Sequence, residues 1–180
     1  RNGMNICRMG WGFHTNKTFS VIEQLGFIID SSAIPCPQYK WEMSVKNWTT
    51  TKLLPYYPSV KDYRIEDKHR GNTLQVPITT AIVEWITDTE KNVIRYLNPA
   101  YKTAYFNKAF EQVKRLPFLN LITHPYELFN GNAPEKDSLV DFSISTFEKN
   151  MMLIFNTDYR LVKLSEIKLL AQEELTLYKK

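Results

Sequence analysis

Short apolar runs that stop at a polar residue, separated by segments with helical spacing, constrain this chain more than any other feature. Residues 5–8 close on Arg8, Phe27-Ile28-Ile29 runs into Asp30, and residues 119–123 run into His124. A short continuous apolar run is what a strand buried on both faces looks like, as in a parallel sheet. Between the first two runs, Thr15 or Asn16 can cap a helix with Phe19, Ile22 and Leu25 inward and Gly26 as its stop. Asn98-Pro99 opens a helix with Phe106, Phe110 and Val113 on one face, and Pro117 closes that segment. Asp137 can cap another helix with Ile144, Phe147, Met151 and Ile154 on one face, and Ser165 a last one with Ile167, Leu170 and Ala171 inward. Further strands are predicted at residues 74–78, where Pro77 marks an edge or an end, with 81–86 as an extension, and at 161–164. The order βα, βα, an insertion, then βα, βα suits an α/β fold, part of a parallel (β/α) barrel, as one domain over residues 1–180.

The insertion, residues 31–73, holds Pro35, Pro37, Pro55 and Pro58 but no sustained periodicity. It carries Tyr39, Trp41, Trp48, Tyr56, Tyr57 and Tyr63. A loop of this length in a compact domain is functional or disordered, and so many rings argue against disorder. Aromatic residues make up 13% of the chain. Aromatic faces can line sugar sites, and large rings can equally serve to pack a core and its loops.

Composition excludes several classes. With 43% hydrophobic residues over 180, the chain is long and apolar enough to bury a core. The net charge of +4 is scattered, with no run of like charges, so nothing points to nucleic acid or an anionic membrane surface. No stretch of apolar residues is long enough for a membrane span. Cys7 and Cys36 lack metal-ligand spacing; one bridge and two buried thiols both fit them. The chain opens at Arg1 while residues 5–8 already read as a buried strand, so sequence upstream of Arg1 is expected. A reading frame that starts there would contradict this.

In a parallel barrel, reactive groups collect at the carboxyl ends of the strands. Arg8, Asp30 and His124 stand at such ends. An imidazole at a strand tip can act as general acid or base near neutral pH, or can simply hydrogen-bond to backbone. Asp30 ends an apolar run, where a charge needs donors such as Ser31 and Ser32 or a cationic partner; it also suits a turn or helix cap. Arg8 can clamp a carboxylate or form a plain structural ion pair. His14, in a polar turn, and His69, in a charged stretch, are expected at the surface, because neither has HxxxH or HExxH spacing. Glu84, Asp88 and Glu90 form no persuasive acid pair. The GxGxxG, GxSxG and GxxxxGK[ST] patterns do not occur.

Five segments in order resemble one family. They are Arg8-Met9-Gly10-Trp11-Gly12, Leu25-Gly26-Phe27-Ile28-Ile29-Asp30-Ser31-Ser32-Ala33-Ile34-Pro35, Pro55-Tyr56-Tyr57-Pro58-Ser59, Leu74-Gln75-Val76-Pro77 and Leu121-Ile122-Thr123-His124-Pro125. This order is similar to the second half of the NodB-type polysaccharide deacetylases, carbohydrate esterase family four. The resemblance covers most of residues 5–128 and implies a metal-dependent hydrolase that removes N-acetyl groups from a glycan. That family uses a divalent metal, usually zinc, to activate water and polarise the acetamide carbonyl. Its TFDDG-like and HxxxH motifs belong to the first half of the barrel, and neither occurs in this sequence. The resemblance therefore implies that the metal ligands lie upstream and that this chain alone has no metal site and no activity. By the same resemblance, Arg8 would orient the catalytic aspartate of the missing half. His124 would protonate the leaving amine. Asp30 would lie near that histidine, although the family's DxxDW form is not matched. Trp11 would help form the acetyl pocket, and Trp48 and Tyr56 would stack on sugar rings. Family habit favours extracytoplasmic or cell-envelope work.

Three other readings compete: a non-catalytic glycan-binding relative of the same fold, a hydrolase of O-acetyl esters or other amides, and a purely structural protein. Half a barrel would leave strand edges unpaired, so either the chain is part of a larger fold or two copies pair as a homodimer.

Overall fold

In a computed structural model of the chain, residues 5–35, 39–41, 44–67, 71–129 and 138–170 are described. The chain divides into two compact units, residues 1–77 with 161–180, and residues 78–160.

The first unit contains the parallel βαβ arrangement that the sequence implies. Strand β1 (Ile6–Cys7) leads through a 3-10 turn at Gly10–Gly12 into helix α1 (Asn16–Gln24), and the chain returns as β2 (Ile29–Asp30). Thr15 caps α1, its side chain accepting from the Thr18 amide at 3.1 Å. Phe19 and Ile22 are buried, but Leu25 is 70% exposed: it sits at the C-cap, beyond the turn that packs inward. Gly26 follows with φ +81°, a left-handed conformation that glycine adopts without steric cost. Strand β5 (Leu74–Gln75) completes a three-stranded parallel sheet in the order β1-β2-β5, with Cys7, Asp30 and Gln75 in register. The strand predicted over 74–78 is thus shorter than expected and stops before Pro77. The outer edge of β5 is occupied by residue 56: the Tyr56 amide donates to the Gln75 carbonyl at 3.0 Å, and the Gln75 amide to the Tyr56 carbonyl at 2.8 Å. The insertion also contains an antiparallel hairpin that periodicity did not reveal, β3 (Tyr39–Trp41) with β4 (Ser44–Lys46). Ile167 is buried, as its predicted helix requires; Ala171 lies outside the described residues.

The second unit is built differently. Strand β6 (Thr80–Ile82) does not extend the parallel sheet but pairs antiparallel with β7 (Ile94–Tyr96), a strand the sequence reading missed. Asp88 clamps this hairpin through two bonds from the Arg95 guanidinium, at 2.9 and 2.6 Å. Helix α2 (Thr103–Val113) begins a few residues after Asn98-Pro99 and buries Phe106, Phe110 and Val113 as expected. With Ala81, Val83, Leu97, Tyr101, Ala109 and Ile154 they form this unit's core. Helix α3 (Ile144–Phe155) is capped by Ser143. The predicted cap Asp137 lies outside the described residues. Ile154 is buried as periodicity predicts, but Ile144, placed on the same face, is 53% exposed, and Asn150 is buried beside Ile154's turn.

Residues 119–123 form no strand. The Thr79 amide donates to the Asn120 carbonyl at 2.8 Å and the Ile122 amide to the Leu97 carbonyl at 3.4 Å, too sparse a set to make a ladder. Residues 161–163 likewise form no strand and lead into a 3-10 turn at Leu164–Glu166. No helix among the described residues is long and apolar enough to cross a membrane.

Candidate functional site

Two clusters of polar side chains stand out, one in each unit. In the first, register alone brings Cys7, Asp30 and Gln75 side by side at the carboxyl ends of β1, β2 and β5. Asp30 is fully buried. Its Oδ1 accepts from the Ser32 amide at 3.0 Å, from the Ser32 hydroxyl, and from the Cys7 thiol at 3.7 Å. Its Oδ2 faces His14 Nε2 at 2.7 Å. With the Gln75 amide turned so that both its ends are satisfied, its nitrogen donates to Asp30 Oδ2 at 3.0 Å and to the Asp30 carbonyl at 2.7 Å, and its oxygen accepts from the Ala33 amide. Both carboxylate oxygens are therefore engaged, which is how a buried carboxylate remains tolerable.

His14 is 2% exposed, not at the surface as its polar turn suggested. Its Nδ1 lies 3.1 Å from the Thr15 carbonyl, so both ring nitrogens face acceptors. The insertion supplies the cover: Tyr63 stacks on His14 at 4.9 Å between centroids, and Trp48 meets it edge-on at 5.5 Å. Trp48, 1% exposed, donates its indole N–H to the Gly12 carbonyl at 2.8 Å. Gly12 has φ +62°, and an added Cβ would stand 2.7 Å from Ile34 Cδ1, so this turn requires glycine. Tyr56 has no exposed surface and donates its hydroxyl to the Tyr63 carbonyl at 2.9 Å; burial pushes its pKa up.

Trp48 and Tyr56, expected as sugar-stacking faces, are thus placed in the interior, Trp48 edge-on to His14 and Tyr56 hydrogen-bonded to Tyr63, the ring that stacks on His14. Arg8 keeps exposed surface and donates from Nη2 to the Ser31 hydroxyl at 2.9 Å, and the Ser31 hydroxyl donates to the Val76 carbonyl at 3.0 Å. Trp11 lies in the 3-10 turn between Arg8 and His14; its side chain is outside the described part of the structure. His69 and Cys36 also lie outside the described residues, and Cys7 is a free thiol.

The second cluster surrounds His124, whose side chain is 43% exposed. The Nδ1 atom is buried and lies 3.3 Å from Glu127 Oε1, within ion-pair distance but off the hydrogen-bond line. Glu127, 3% exposed, is held through its other oxygen: Oε2 accepts from Asn98 Nδ2 at 3.0 Å and from the His124 amide at 2.7 Å. Asn98 is fully buried, and its Oδ1 accepts from the Ala100 amide and the Thr123 hydroxyl, each at 2.9 Å. Tyr126 stacks on the imidazole at 5.4 Å and Tyr96 meets it edge-on at 6.4 Å. Burial, with the charge of Glu127 next in weight, pushes the Tyr96 hydroxyl up to about 12, so this ring stays neutral beside the histidine.

The sequence reading missed Glu127 and Asn98. The signal was present in part: a glutamate three residues after His124 can reach back to its amide in a tight turn, as in a capping box.

Among the described residues no three His, Cys, Asp or Glu side chains assemble as a metal site requires. Comparison with family models, curated proteins and solved structures finds no match.

Proposed function

We propose that this chain is the second half of a metal-dependent glycan N-deacetylase domain of the NodB barrel type. On this reading the metal ligands and catalytic aspartate lie in sequence upstream of Arg1, and N-acetylated glycan is the substrate. The observation that carries the proposal is the ordered set of motifs from Arg8 to His124, together with the character of His124 itself. It is a half-exposed imidazole backed by a buried carboxylate, the arrangement that suits a proton donor.

Hydrolysis of an acetamide forms a bond from water oxygen to the carbonyl carbon and breaks the carbon–nitrogen bond. The departing nitrogen must gain a proton as that bond breaks, since an amide anion is a poor leaving group. His124 supplies this proton and Glu127 steadies the charged ring. Arg8 positions the catalytic aspartate of the upstream half. Asp30 organises the rim from which Arg8 projects, through Ser32 and through His14. An unclosed half would be completed by the upstream half or by a second copy.

The test is acetate release by the product of the complete reading frame, with zinc added, from N-acetylated oligosaccharides and, in parallel, from O-acetylated ones. Release from the N-acetyl series, and an upstream sequence holding an aspartate pair and HxxxH, is the expected result. Release confined to O-acetyl esters would move the assignment to an esterase. No release, with those motifs missing upstream, would move it to a glycan-binding module.

A further inference from the structure

We propose that Glu127 is a positioning residue that fixes the tautomer of His124, holding the proton on Nδ1 and presenting Nε2 as the working nitrogen. The inference deepens the reading of His124 as proton donor and rests on that reading for its catalytic meaning; the tautomer itself follows from geometry alone.

The argument runs outward from Asn98. Its Oδ1 already accepts two hydrogen bonds, from the Ala100 amide and the Thr123 hydroxyl, which leaves Nδ2 to face the carboxylate. Glu127 Oε2 then takes two donors, Asn98 Nδ2 and the His124 amide. With Oε2 taken, Oε1 is the oxygen turned to the imidazole, 3.3 Å from Nδ1. A neutral imidazole has one N–H and one bare nitrogen. A bare Nδ1 would set a lone pair against a carboxylate oxygen in a buried setting, which is repulsive. A protonated Nδ1 turns the same approach into an attraction, and a small rotation of the ring converts it to a hydrogen bond. Because Nδ1 is buried while the side chain is 43% exposed, the accessible edge of the ring is the one that carries Nε2. Tyr96 and Tyr126 flank the ring without offering it a competing charge.

The experiment is nitrogen-15 NMR of the ring nitrogens in the labelled protein, with His124 assigned by loss of its signals in His124→Gln. In the neutral state the wild type is expected to show a protonated Nδ1 and a bare Nε2. Glu127→Gln places an amide where the acceptor stood and is expected to shift the population to Nε2–H. Asn98→Ala, which frees the carboxylate, is expected to give a mixture. A wild type with Nε2–H would overturn the proposal without reference to any variant, as would a tautomer unchanged in both variants. The two readings fail separately. Nδ1–H with no acetate release keeps the positioning role and dismisses the deacetylase, and Nε2–H with acetate release does the reverse.

Discussion

His14 and Asp30 form the pair on which the first unit's polar interior depends. Their side chains are 1% and 0% exposed, so truncating His14 would leave a buried carboxylate short of a hydrogen-bond partner. His14→Ala is expected to destabilise the protein by about 1–3 kcal/mol in urea unfolding; an unchanged midpoint would show that Asp30 does not need the ring. Cys7 gives a second prediction. Burial and then the Asp30 charge push its thiol from 9.0 up to about 12. The folded pKa lies above the unfolded one, so the folded state holds the proton longer. The stability this contributes is complete below the unfolded value and is lost as pH rises through the folded one. In a Cys36→Ser background, iodoacetamide at about pH 8 should label Cys7 far more slowly in the folded protein than in urea. Equal rates would contradict the shift. Ser32, two residues on, was legible as a donor to Asp30, but Cys7 and His14 were not, because they reach it only through the parallel register and the fold of the preceding turn.

At the level of elements, legibility followed periodicity. Helix α2 was read correctly because Phe106, Phe110 and Val113 repeat at helical spacing and the core accepts all of them. Strands of two or three residues, such as β7, give too little pattern to detect, and the chain near residues 119–123 is apolar without being laddered. Helix α3 buries Ile154 and packs Met151 on the core as periodicity predicts, but Ile144 stays exposed and a polar residue shares the inward face. Asn150 is fully buried and donates to the carbonyls of Pro99 at 2.8 Å and Tyr101 at 2.7 Å. This ties α3 to the segment that carries Asn98. Asn150→Ala should leave two buried carbonyls without that donor and cost about 1–3 kcal/mol in thermal or urea unfolding. An unchanged midpoint would mean that water replaces the amide.

For the whole molecule, the motif order from Arg8 to His124 was legible because each motif is local. What surrounds each residue was less so: the aromatic insertion turns Trp48 inward against His14 and buries Tyr56, a packing that residue type alone does not distinguish from a sugar-stacking surface. The central claim is that His124 delivers a proton in amide hydrolysis. The most direct measurement is kcat for acetate release from an N-acetylated oligosaccharide by the complete protein with zinc, wild type against His124→Ala, with unfolding midpoints confirming that both are folded. A fall in kcat of about a hundredfold or more is the predicted result. Equal rates in two folded proteins would contradict it.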